Sequence, residues 1–171
     1  MEILDIYDKY RKRTGKTYPR KEPIPAGGLR LIVHILIFND KGELLIQQRA
    51  DHKKMGGLWD LTCGGACQAG ENSFEGARRE LKEELGLDFD FTSIRPILTA
   101  NFDQGFDDFF LLKKNLEINE LKLQKEEVKA ARWASRAEVL DLLSNGEFVK
   151  YKKSYLDLLF DLNDDRDFMK Y

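Results

Sequence analysis

The stretch GACQAGENSFEGARRELKEELGL, from Gly65 to Leu87, carries the most legible element of the chain. Asn72 followed by Glu75 three residues later has the form of a capping box, and Gly86 stands where helices commonly end in a left-handed residue. The spacing therefore predicts a helix over 72–86. At about 100° per residue, Phe74, Ala77, Leu81 and Leu85 share a face able to enter a core, while Glu80, Glu83 and Glu84 form an acidic stripe beside it. Like charges at this spacing, and carboxylates in a last turn, each oppose the helix by roughly 0.3 to 1 kcal/mol. Glu83 finds Arg79 four residues earlier; the helical neighbours of Glu80 and Glu84 three and four residues away include no cation. A solvated acidic face is one reading. The other is a divalent cation, because clustered hard oxygens on successive turns suit Mg²⁺ or Mn²⁺.

Working outward, EILDIYD reads as a short first strand, and RKRTGKTYPRKEPIPAGG (Arg11 to Gly28) as a polar surface arm punctuated by Pro and Gly. LRLIVHILIF and LLIQQR, joined by NDKGE, suggest a hairpin at the centre of a sheet. FTSIRPILTANF and DDFFLLKKN suggest a second strand pair, and EVKAARWAS a further strand. ASRAEVLDLLSNGEF and YKKSYLDLLFDL read as closing amphipathic helices. The expected architecture is α/β (α+β), with a mixed sheet sandwiched between helices in one domain over 1–171.

Composition narrows the function classes. With 28 basic and 30 acidic residues among 171, the net charge of -2 gives no global field toward nucleic acid or an anionic membrane. Cys63 and Cys67 lack a second ligand cluster at zinc-like spacing and read as reduced, packed thiols. No segment offers the roughly 20 apolar residues of a membrane helix. A cytoplasmic protein with a small-molecule ligand met locally is the expectation.

From Gly65 the sequence fills every fixed position of the Nudix signature: Gly65, Glu71, Arg79, Glu80, Leu81, Glu83, Glu84, Gly86 and the aliphatic Leu87. The chain thus resembles the Nudix hydrolases. This resemblance implies that Glu80, Glu83 and Glu84 hold Mg²⁺ or Mn²⁺ together with the Gly65 carbonyl, and that Arg79 pairs with Glu71 to brace loop against helix. It implies pyrophosphohydrolase chemistry, the hydrolysis of a diphosphate linkage in a nucleoside diphosphate derivative or related compound. A monomer or homodimer is expected, with no nucleic-acid partner.

Beyond the signature, IFNDKGELLIQQRADHKK, GGLWDL and EEVKAARW are similar to isopentenyl diphosphate isomerase and bacterial hydrolases related to it. The isomerase's catalytic cysteine falls on Gly64, however, one of its metal-binding histidines on Ala66, and another near Arg30. Hydrolase therefore ranks above isomerase, with a non-catalytic nucleotide-binding regulator as a third reading. A further base or ligand carboxylate is expected from Glu127 or Glu126. Arg30, Arg49 and Lys53 or Lys54 are candidates for phosphate, since guanidinium presents a planar fork. Asp103, Asp107 and Asp108 lie near strand ends, from where they could approach the metals, but read as surface turn residues; His34 reads as a hydrogen-bonded core or pocket histidine. Trp59, Phe102, Phe106 and Trp133 could stack on a base or pack in the core.

Overall fold

The computed structural model describes residues 2–165. The chain runs through β1 (Ile3–Tyr7), β2 (Arg13–Pro19), β3 (Arg30–Phe38), β4 (Leu44–Arg49), β5 (Trp59–Asp60), β6 (Cys63–Ala66), α1 (Ser73–Leu85), β7 (Leu98–Phe102), β8 (Gly105–Lys113), β9 (Val128–Ala134), α2 (Arg136–Ser144) and α3 (Lys153–Asp164). β3 to β9 form one mixed sheet in the order β5-β4-β3-β8-β7, with β6 on β3 and β9 on β4.

β3 is central because its residues are apolar on both faces. Leu31, Val33, Ile35 and Ile37 enter a core cluster with Ala77, Leu81 and Leu85 of α1. Leu36 and Phe38 enter a second cluster with Val139 of α2 and Leu156, Leu159 and Phe160 of α3. Each fully buried leucine contributes about 1.5–3 kcal/mol, so the two clusters fix the helices against opposite faces. β3 pairs in parallel with β8 along its whole length, from Arg30↔Gly105 to Phe38↔Lys113.

Two expectations are corrected. The supposed arm contains β2, antiparallel to β1 in a separate two-stranded sheet; Leu4, Ile6 and Tyr18 of this hairpin pack on Ala66 and Ile32. The β3–β4 hairpin has its turn, closed by Asn39 N–H to the Glu43 carbonyl at 3.0 Å, but the strands meet only at Phe38↔Leu44. They then splay. β4 pairs instead with β9, from Leu44↔Ala134 to Arg49↔Val128, and Thr62 fills the wedge, accepting from the Ile37 N–H at 3.0 Å and donating to the Leu45 carbonyl. The segment carrying β5 and β6 enters this opening and brings Gly64 and Gly65 beside β3. A smaller difference is that Phe91–Ser93 forms a 3-10 turn and β7 starts only at Leu98, beyond Pro96, which offers no ladder donor.

Candidate active site

α1 has the expected limits: Asn72 accepts from the Phe74 and Glu75 N–H groups, Glu75 completes the capping box, and Gly86 closes the helix at φ 72°. Its acidic side is less exposed than a solvated stripe would be. Glu80 and Glu84 are each only 6% exposed, whereas the Glu83 side chain is 49% exposed.

Arg79 ties the loop before α1 to this face. It donates to Glu71 from Nε at 2.8 Å and from Nη2 at 3.0 Å, and from Nη2 to the Ala66 carbonyl at 2.9 Å. Nη1 donates to Glu80 at 2.8 Å and Glu83 at 3.1 Å. The contact with Glu80 joins adjacent residues, which helical spacing does not anticipate. Burial would raise the Glu71 carboxyl, but the Arg79 hydrogen bond and the Gln68 N–H hold it below its ordinary value. Burial raises Glu80, with Arg79 opposing. Burial pushes Glu84 up to about 8, reinforced by Glu80, Glu127 and Asp60 and opposed by a hydrogen bond from Gln47. Among the described residues no cation pairs with Glu84; Gln47 Nε2 donates to it at 3.0 Å, and Gln47 Oε1 is buried without a partner.

Gly65 pairs with Val33 across β3 and β6, and a Cβ there would run into the Glu80 carboxylate. The glycine is thus what lets backbone and carboxylate share this space. Among the described residues, no three acidic, imidazole or thiol side chains converge as a finished metal shell, because Arg79 holds Glu80 and Glu83. The donors nonetheless fit a hard divalent cation: burial raises both Glu80 and Glu84, Glu80 raises Glu84 further, and an amide oxygen beside Glu84 lacks a donor.

Glu127 stands close enough for its charge to act on Glu84, on a segment anchored to the end of α1 by Lys122 N–H to Leu85 and Gln124 N–H to Glu84, both 3.0 Å. Lys53 Nζ pairs with both Glu127 oxygens, at 2.6 and 2.5 Å. Glu126 and Lys54 are exposed. Arg49 donates to Asp60 at 2.9 Å and to the Lys54 carbonyl at 3.0 Å. Arg30 reaches Gln104 at 3.3 Å and lies over the Phe102 ring.

The aspartates of β8 are not surface turn residues. Asp107 is 8% and Asp108 2% exposed; Asp103 alone of the three is exposed. Asp108 accepts from Arg11 at 2.7 Å and Thr99 at 2.6 Å. His34 Nδ1 lies 2.9 Å from both Asp107 oxygens, and its ring stacks on Phe109. Burial alone would lower the His34 pKa, but Asp107 raises it. His34 is therefore the hydrogen-bonded pocket histidine its alternation with apolar residues suggests. Phe106 is core, Trp59 carries Arg132 over its ring, and Trp133 donates to the Leu116 carbonyl. Cys63 and Cys67 are free and buried, and burial raises both thiols. Sequence reasoning missed Gln47 and Asp60, which sit in a strand and a strand end without any motif to mark them.

Gly64, where the isomerase's cysteine falls, leaves no room for a side chain. A Cβ there would approach the Val33 carbonyl oxygen to 2.5 Å and the His34 ring to 2.7 Å. The Ala66 carbonyl is already taken by Arg79.

The site is thus an acidic helix packed on a mixed sheet, with a glycine strand end against the Glu80 carboxylate. Residues 28–157 match the family model described as NUDIX domain, and the chain belongs to the Nudix family. An uncharacterized Nudix hydrolase of Listeria monocytogenes is 41% identical over 163 residues, 95% of each chain. An isopentenyl-diphosphate Delta-isomerase of Halorhodospira halophila is 38% identical over 98 residues, 57% of this chain and 54% of that one. A crystal structure from Deinococcus radiodurans matches in fold with a TM-score of 0.75, over 92% of this chain and 98% of that one, at 22% identity. Nudix hydrolases act on nucleoside diphosphate derivatives and generally use divalent metals. No described helix is long and apolar enough to cross a membrane.

Proposed function

We propose that this chain, as one Nudix domain over 1–171, hydrolyses a diphosphate linkage in a nucleoside diphosphate derivative, using Mg²⁺ or Mn²⁺ at Glu80, Glu83, Glu84 and the Gly65 carbonyl. The observation that carries the reading is the burial of Glu80 and Glu84 side by side, with no cation on Glu84 among the described residues. A bound divalent ion would neutralise phosphate charge and supply a water of lowered pKa.

The chain's own residues perform the rest. Arg79 fixes Glu80 and Glu83 and, through Glu71 and Ala66, locks the loop to the helix. A bidentate guanidinium suits that task because its fork sets direction as well as distance. Glu127, beside Glu84, accepts the proton of the attacking water, and Lys53 holds its carboxylate in place. Arg30, Arg49, Lys54 and Glu126 are left as substrate-contact candidates. The tight fit at Gly64 speaks against isomerisation, which needs an acid at the carbon skeleton.

The test is incubation of the pure protein with Mg²⁺ and a panel of nucleoside di- and triphosphates, ADP-ribose, nucleotide sugars, coenzyme A and isopentenyl diphosphate, with products resolved by chromatography. Release of phosphate or a nucleoside monophosphate, lost in Glu84→Gln, supports the hydrolase. Conversion of isopentenyl diphosphate to its allylic isomer, or binding of a nucleotide with no product, would replace it.

A further inference from the structure

Gln47 is an apparent contradiction in β4. It is 5% exposed, on a strand whose neighbouring Leu45 and Ile46 are wholly buried, yet it carries an amide. Burying an amide costs about 1–3 kcal/mol when half of it finds no partner, so an apolar residue would serve packing better. Only one half of this amide is used. Nε2 donates to Glu84 Oε2 at 3.0 Å, while Oε1 is buried with no donor.

The amide turns its NH₂ toward Glu84 and its oxygen away. With a cation bound Glu84 is ionised, and a carboxylate accepts only, so the same orientation suits the loaded site. That leaves a hard neutral oxygen next to the buried carboxylates, on the side of the sheet facing α1. Hard neutral oxygens are suited to Mg²⁺ and Mn²⁺, which retain several waters in protein sites.

We propose that Gln47 belongs to the cation site, its Oε1 binding the hydrated divalent ion while its Nε2 aims Glu84. The site is then built from two elements, the acidic side of α1 and the strand β4, which Gln47 and Glu84 join. The inference rests on the reading of Glu80 and Glu84 as cation ligands and adds to it a residue outside the family signature.

The test is Mn²⁺ binding to the substrate-free protein, followed by the electron paramagnetic resonance signal of free Mn²⁺, which requires no substrate and no turnover. Gln47→Leu keeps the volume and removes both polar atoms; it should weaken Mn²⁺ about 10- to 100-fold. Gln47→Glu restores a hard oxygen but loses the donor to Glu84, and should bind within a few-fold of wild type or tighter. A residue that only positions Glu84 gives the opposite pattern for Gln47→Glu, since a second carboxylate there would repel Glu84. Wild-type affinity in Gln47→Leu, or equal loss in both folded variants, would overturn the proposal. Should the leucine variant fail to fold by circular dichroism, Gln47→Met makes the same comparison with a more adaptable side chain. A wild-type protein that binds no Mn²⁺ would instead remove the underlying reading, so the two failures are distinct.

Discussion

The molecule buries two sets of carboxylates and treats them differently. Asp60 and Asp108 are 7% and 2% exposed, each with a guanidinium and a hydroxyl: Arg49 and Tyr151 on Asp60, Arg11 and Thr99 on Asp108. Glu84 is 6% exposed with one amide hydrogen bond, and Glu80 shares its single guanidinium with Glu71 and Glu83. Equal burial with unequal partnering separates groups that hold the fold from the groups to which the proposed function assigns a cation. A buried charge is stabilised only where pairing and hydrogen bonds offset its desolvation.

Exchanging one member of each set should break the comparison most visibly. Glu84→Gln is expected to lower Mg²⁺-dependent turnover by about 10³-fold or more, while the metal-free variant melts at or above the wild-type temperature. Asp60→Ala should do the reverse, costing about 3 kcal/mol in chemical denaturation by leaving Arg49 and the Tyr151 hydroxyl without their acceptor. Loss of stability in the first, or none in the second, would contradict the distinction.

pH sharpens it. The Glu84 carboxyl stands at about 8 in the fold against an ordinary 4.5, so the fold favours its protonated form. That contribution is full below 4.5 and is lost as pH rises through about 8. The metal-free protein should therefore melt progressively lower between pH 5 and pH 9, the slope should flatten in Glu84→Gln, and Mg²⁺ should restore stability at the alkaline end, where the ionised ligand binds it. Thermal melts with and without Mg²⁺ read this directly. A smaller effect is expected of Gly64→Ala, whose methyl must displace the Val33 carbonyl or the His34 ring: about 1–3 kcal/mol in the same denaturation assay.

The sequence was most readable where local chemistry decides the structure. Asn72, Glu75 and Gly86 set the ends of α1 through caps that depend on near neighbours, and the signature positions run consecutively through the end of β6, one loop, α1 and its cap. β2 was unreadable because its strand shows water five successive exposed residues before Tyr18, which gives no period of two. The burial of Asp107 and Asp108 depends on partners 73 and 97 residues away, His34 and Arg11; in sequence, NFDQGFDD has only the polarity of a turn. Arg79 reaching its neighbour Glu80 escaped because helical pairing rules consider three and four residues. Gln47 escaped because a lone amide in a strand gives no signal until its oxygen is seen to lack a donor.

The most direct measurement of the central claim is a calorimetric titration of Mn²⁺ into the wild-type protein and into Glu84→Gln and Asp108→Asn. The account predicts saturable binding in the wild type, its loss in Glu84→Gln, and its retention in Asp108→Asn at the wild-type affinity. Equal binding in wild type and Glu84→Gln would contradict it, since the buried carboxylate without a cation would then not be the ion's ligand.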